Sequence, residues 1–473
     1  MAFLAHGKFE LFGSTTTLSA TERRLTSNGS FHDVGFKIGK LCNHGSQWTE
    51  RASRRSIFIA PDGRSKPSNT TRSQPIARPR RTERHYLCRL FAPELHRYSQ
   101  GAAAVQVLLC HLALAFAPSL FWASPLSGSL VGYAAATPLF FPLDGASAVC
   151  IFFAISGYVL TPLFIRSRAT DFAHIFSRFI RLGVPALAGC AIAVIAFQMF
   201  AKYNQIAGFS NEWLASAWRP STDLWFVKDA LVNGIFVGFY GDSVAQWFGL
   251  VPSPSPRSDS YLGVLWTLSI EFYGSILILI LARARSWILI VIASILFSRS
   301  YFLCFVVGHA AARAGLGEKP PVIQWPMAAA IAIFGATLCM TSHYWTPSLV
   351  STVCAASSRI FPPCPTMDNG YLMRIYGATV FTIAVMQCAP ARALLGHEKL
   401  RALGRLSFSL YLMHWPVVFG VGSLLLVEVN HMAGLKVARA VTIVVCAVLA
   451  IFAATAFERV DQLALRISRA VRG

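Results

Sequence analysis

Two arginines three residues apart, Arg178 and Arg181, close one polar link and open an apolar stretch. On a helical turn their guanidinium groups face the same way and suit bidentate capture of one phosphorylated ligand, although basic residues at such a place also serve as membrane anchors. Three further titratable residues, His111, Glu271 and His414, lie inside apolar stretches. Counting from the nearest polar edge at about 1.5 Å per residue sets them at depths of about 16, 18 and 14 Å, one shared layer. A buried base above a basic floor is what acyl transfer from a coenzyme A thioester requires. Arginines hold the phosphates, the thin pantetheine arm carries the thioester upward, and a neutral imidazole takes the proton of an attacking hydroxyl. His111 is the candidate base, and Glu271 could orient that imidazole or the acceptor. The alternative for each is interhelical hydrogen bonding without chemistry.

The elements that must carry these residues are membrane helices. The chain has 473 residues, 55% hydrophobic and 13% charged, with a mean hydropathy of +0.52. That charge content is about half that of a soluble domain and indicates an all-α, polytopic membrane helical bundle. The formal charge of +21 does not imply nucleic-acid binding. Of the 42 Lys and Arg residues, 17 lie in residues 1–97 and most others cluster at the ends of apolar segments.

Residues 1–97 are rich in Ser, Thr, Arg and Pro without apolar periodicity and read as a disordered basic cytoplasmic tail, suited to lie beside anionic lipid. Residues 98–460 form the membrane domain, and residues 461–473 a short basic cytoplasmic tail. Ten apolar segments follow the first tail: Gly101 to Trp122, Ala146 to Ile165, Gly183 to Phe200, Val264 to Leu281, Trp287 to Phe297, Tyr301 to Ala312, Ile323 to Met340, Ile375 to Ala391, Leu406 to Val429 and Val437 to Phe457. The fifth and sixth are short for spans and could be one tilted helix. Ten spans with both termini cytoplasmic place 33 basic residues inside and 9 outside, the bias expected of a membrane protein, so ten is the count adopted. On that topology the sequons at Asn28 and Asn69 stay unglycosylated.

Two longer connections then face outward, Ala201 to Gly263 and Thr341 to Arg374. The first carries Trp213, Trp218, Trp225 and Trp247, which suit the membrane interface or the mouth of a substrate site. Cys354 and Cys364 share the second and could pair in an oxidising lumen. The other cysteines, among them Cys110, Cys150, Cys190 and Cys446, have no metal-ligand spacing and read as small buried residues. His309, four residues from Arg313, reads as interfacial. Ser156 and Gly157 read as small residues that let helices pack closely. A nucleophile elbow, a phosphate-binding Gly-rich loop, a His-Glu-x-x-His motif and a His-x4-Asp motif are all absent from the sequence.

The chain resembles the integral-membrane acyltransferase 3 family, and especially its fungal branch. The resemblance rests on GAAAVQVLLCH ending in His111, FFAISGYVL at Phe152 to Leu160, Arg178 and Arg181 followed by Leu182 and Pro185, LWTLSIEFYGS at Leu265 to Ser275, and LGRLSFSLYLMHWP at Leu403 to Pro416. It implies an enzyme that moves acyl groups, often acetyl, from cytoplasmic acyl-CoA as co-substrate to hydroxyls of small molecules, secondary metabolites or carbohydrates. No permanently bound cofactor and no metal are implied. By the same resemblance His111 takes the catalytic position and Arg178 with Arg181 the donor-binding one. Glu271 and His414 fall on further recurrent positions, and Trp266 and Tyr411 are supporting or substrate-contact candidates. One departure stands out. The family pattern is arginine, ten residues, then histidine, and counting back from His111 reaches Gln100. Either Arg97, one turn earlier, substitutes, or donor binding is weaker, or activity is lost. The expected place is the endoplasmic reticulum or plasma membrane, with membrane lipid, acyl-CoA and a hydroxyl acceptor as partners. The alternatives are a transporter of a small polar metabolite and an inactive family member.

Overall fold

A computed structural model describes residues 100–121, 137–220, 225–237, 260–317, 320–344 and 369–473. The expectations for residues 1–97, Trp247, Cys354, Cys364 and the two sequons lie outside these residues. The described residues are mostly helical, with no strand among them. The helices that matter for the site are, in order, α1 (Gln100–Phe116), α2 (Gly145–Arg166), α3 (Asp171–Ala207), α4 (Trp266–Ala284), α5 (Trp287–Leu296) and α6 (Phe302–Ala314). Then come α7 (Trp325–Tyr344), α8 (Asn369–Gln387), α9 (Ala389–Leu395), α10 (Glu398–Pro416), α11 (Gly422–Ala433) and α12 (Leu435–Ala470).

Each of the ten apolar segments overlaps one or two of these helices, but length divides them. Five stretches reach the length and hydropathy of a membrane span: α2, α3, α4, the continuous run Ala402–Ala433, and α12. A sixth arises if α8 and α9, bent by 90° at their junction, count as one. The remaining apolar helices, Gln100–Phe116, Trp287–Leu296, Phe302–Ala314 and the apolar part Trp325–Met340 of α7, have 10–17 residues, short of the roughly 20 of a full crossing. The fifth and sixth segments are two helices and not one tilted rod. Arg313, at the end of α6, donates from Nη2 to the carbonyl of Arg285 at 2.9 Å and lies over the Trp287 ring, so α6 returns to the level at which α5 starts.

Basic residues tie the helix ends on this face together. Arg283 donates to Asp171 at 2.8 Å, Arg392 donates from Nη2 to Gly317 O at 2.5 Å, and Arg472 donates to Ser177 at 3.0 Å. Local sequence sets the helix boundaries here. Thr170 Oγ1 accepts from Ala173 N at 3.2 Å and starts α3, while Gly315, at φ 73°, ends α6 in the left-handed region open to glycine.

Close backbone approach explains two of the small residues. A Cβ on Gly157 would overlap the Phe305 carbonyl and one on Gly308 would overlap the Ala154 carbonyl, so α2 and α6 touch backbone to backbone. Gly101 does the same for α1 and α10, since a Cβ there would lie 2.7 Å from Gly404 N. Pro416 lacks an N–H for the preceding turn, and the helix carries on past it through one wider π turn, Val417–Val421. The described cysteines, Cys110, Cys150, Cys190 and Cys446 among them, are buried, as small apolar residues.

Two residues differ from their sequence reading. His309 is fully buried, with Nδ1 2.8 Å from Thr161 Oγ1, because α6 lies flush against α2 and takes it out of the interface that its spacing from Arg313 suggests. Trp218 is also fully buried, its Nε1 donating to Tyr261 O at 2.9 Å, because the chain folds back over it. Trp225 remains exposed.

Candidate active site

The close crossing of α1 and α10 brings His111 and His414 together. Nε2 of His414 lies 3.1 Å from Nδ1 of His111, and the ring centroids are 5.0 Å apart. Each imidazole also folds back onto its own helix: His111 Nδ1 is 3.0 Å from Val107 O, and His414 Nδ1 is 3.0 Å from Leu410 O. If both rings are neutral, these carbonyls decide the tautomers. A carbonyl oxygen only accepts, so His414 carries its proton on Nδ1 and its lone pair on Nε2. His111 Nδ1 therefore faces two acceptors, Val107 O and His414 Nε2, and must bear the proton. The lone pair of that tautomer is on Nε2.

Aromatic rings box this pair. Trp213 stacks on His111 at 6.4 Å and an interplanar angle of 18°, and Trp415 meets it edge-on at 5.3 Å. The turn bearing Trp213 is itself fastened to α1, since Asn211 Nδ2 donates to Leu114 O at 2.5 Å. In the sequence Trp213 is legible only as one tryptophan of an outward connection that could line a substrate mouth.

The expected single layer resolves into tiers. One turn below His414, Tyr411 Oη is 2.8 Å from Thr267 Oγ1 and donates to Val264 O at 2.9 Å. One further turn along α4, Glu271 accepts from Arg178 Nη2 at 2.5 Å. Arg178 Nε also donates to Ser275 Oγ at 2.9 Å, and Ser275 Oγ donates to the Glu271 carbonyl at 2.6 Å. Glu271 thus engages the arginine floor, and the side chain that meets the His111 ring nitrogen is His414. Arg181 is paired as well, with both carboxylate oxygens of Asp461 on α12, and its guanidinium lies 5.1 Å from the Phe408 ring centroid.

Over the arginine floor lies a cavity of about 350 Å³, and neither His111 nor His414 is among the residues that line it. Arg178, Arg181, Glu271 and Gln100 line it, as do Val107 and Tyr411, which sit one turn from His111 and His414 respectively. Trp266 lies elsewhere, 5.5 Å from the Tyr301 ring. A buried ion pair that the sequence does not announce joins Arg374 Nε to Asp144 Oδ2 at 3.3 Å. Its one sequence signal is an aspartate immediately before an apolar helix, and Arg374 counts among the outward basic residues of the ten-span topology. No group of three or more His, Cys, Asp or Glu side chains suited to a metal ion occurs among the described residues.

The chain matches the family described as "Acyltransferase domain", of the acyltransferase 3 type, over residues 98–459. No curated protein and no solved structure matches it. The match takes in both histidines, both arginines and most of the cavity wall, and the chain belongs to the acyltransferase 3 family of membrane acyltransferases.

Proposed function

We propose that the protein transfers an acyl group, acetyl in the first instance, from a coenzyme A thioester to a hydroxyl of a small-molecule or carbohydrate acceptor. The observation that carries this reading is the His111–His414 contact one turn above a cavity whose floor holds Arg178 and Arg181. The arginines take the donor phosphates and the cavity takes the thin arm that ends in the thioester. An acceptor hydroxyl beside His111 gives its proton to Nε2 as its oxygen attacks the thioester carbonyl carbon. The C–S bond then breaks, the acyl group stays on the acceptor oxygen, and the leaving thiolate takes up a proton to give free coenzyme A.

His414 accepts from His111 Nδ1 and so keeps the lone pair of His111 on Nε2, the orienting role that sequence alone offers to Glu271. Gln100 lines the same cavity, and its amide offers a donor in place of the family's fixed charge. In the membrane of the endoplasmic reticulum or the cell surface, ten crossings with both termini cytoplasmic would present the arginine floor to cytoplasmic acyl-CoA.

The test is thiol release by the purified full chain in lipid nanodiscs, supplied with acetyl-CoA and a panel of hydroxyl-bearing sugars and metabolites. Release that depends on one acceptor class, with that acceptor gaining the acyl mass, is the expected result. Movement of an acceptor across the bilayer with no thiol release would replace this reading with transport.

A further inference from the structure

The last turns of α12 follow the family match, which ends at residue 459. Asp461, Leu465 and Ser468 recur there at intervals of four and three, one stripe along the helix, and Arg472 follows two residues past its end at Ala470. Each reaches the arginine floor. Asp461 is 2% exposed and takes Arg181 through both oxygens, Nη2 to Oδ2 at 3.3 Å. Leu465 lines the cavity. Ser468 Oγ is 2.7 Å from Ser177 Oγ, and Arg472 Nη1 donates to that same Ser177 hydroxyl at 3.0 Å. Ser177 adjoins Arg178, so the stripe grips the turn of α3 that bears both arginines.

An arginine side chain able to rotate loses entropy when it binds, whereas one already fixed loses less. Arg181 is fixed on two sides, edge-on by the Asp461 carboxylate and face-on by Phe408. A guanidinium has five N–H donors in a rigid fork, and the carboxylate engages two of its nitrogens. The charged residues that line the cavity are Arg178, Arg181 and Glu271, two cations and one carboxylate, while Asp461 and Arg472 stand behind its wall.

We propose that Asp461 is a positioning residue for phosphate recognition. It sets the plane of Arg181 toward the phosphate groups of a nucleotide-type donor, and Arg472 adds a further cation on the same turn of α3. This rests on the reading that the arginine floor takes the donor phosphates.

The experiment compares wild type, D461N, D461E, R472Q, R181Q and the R181Q/D461N double variant as full chains in neutral-lipid nanodiscs. Both steady-state kinetics and equilibrium binding of coenzyme A are measured. D461N should raise the KM for acetyl-CoA and the Kd for coenzyme A about tenfold, with kcat within about twofold, and D461E should recover most of the loss. R472Q, which leaves the Asp461 pair intact, should weaken both constants about threefold, and D461N should add nothing to R181Q. Unchanged or tighter donor binding in folded D461N, or full additivity with R181Q, would overturn the proposal. So would a wild-type protein that binds neither coenzyme A nor inorganic pyrophosphate, or an Asp461-dependent affinity for anionic lipid in place of coenzyme A. A wild type that binds coenzyme A but transfers no acyl group would refute acyl transfer alone, with Asp461 still judged by the binding constants.

Discussion

His414 Nε2 and His111 Nδ1 meet at 3.1 Å across 303 positions of sequence, a contact that in two neutral rings puts the lone pair of His111 on Nε2. Here the Leu410 carbonyl sets His414, and His414 with the Val107 carbonyl sets His111.

His414→Phe keeps a ring in place but removes the acceptor. Turnover should fall on the order of 10–100-fold, while the KM for donor stays within about threefold, because the loss is in orientation of the base and not in phosphate contacts. Steady-state kinetics on folded protein decides this. A variant with wild-type kcat would return His414 to packing alone.

Arg178→Ala leaves the Glu271 carboxylate buried without its cation, since the side chains of the pair are 15% and 5% exposed. The expected cost is about 3 kcal/mol of stability, read as a lower unfolding temperature in nanodiscs, together with a raised donor KM. Adding Glu271→Gln should restore most of the stability and none of the donor affinity. Asp171→Asn, at a pair 35% and 59% exposed, should cost less than about 1 kcal/mol. An equal loss at both pairs would mean that burial is not what makes the Arg178 pair matter.

Gly308→Ala should cost about 1–3 kcal/mol, because the new methyl overlaps the Ala154 carbonyl and α2 must move. Gly183→Ala is the comparison. Its methyl meets the flexible end of Ile235 at 3.2 Å, and it should be neutral or slightly stabilising. Yield of monodisperse protein and its unfolding temperature report both.

The parts of this site that are legible in the sequence share one property. His111 and His414 carry polar groups inside apolar runs, and Arg178 and Arg181 form a spaced basic pair at the edge of one, so each announces itself locally. What pairs with what does not follow from depth along a helix. Glu271 shares a nominal depth with His111, yet a side chain extends several ångströms along its helix and α4 is set so that the carboxylate reaches Arg178. Asp461 lies 280 positions from its partner on a different helix, in a stretch that reads as a solvated basic tail. Trp213 sits in an outward connection, and only the tertiary fold brings it over His111. The helix positions are legible from apolar runs, and the shortness of α5 and α6 is legible too, but a count of ten taken from the charge bias does not say how many helices reach span length.

The central claim is that His111 is the base, and acceptor-dependent release of coenzyme A thiol by His111→Ala tests it most directly. With donor binding preserved and the variant as abundant and as stable as wild type, release should fall at least about 10²-fold, the scale of a lost general base. A folded His111→Ala protein that releases thiol and acylates the acceptor at the wild-type rate would contradict it.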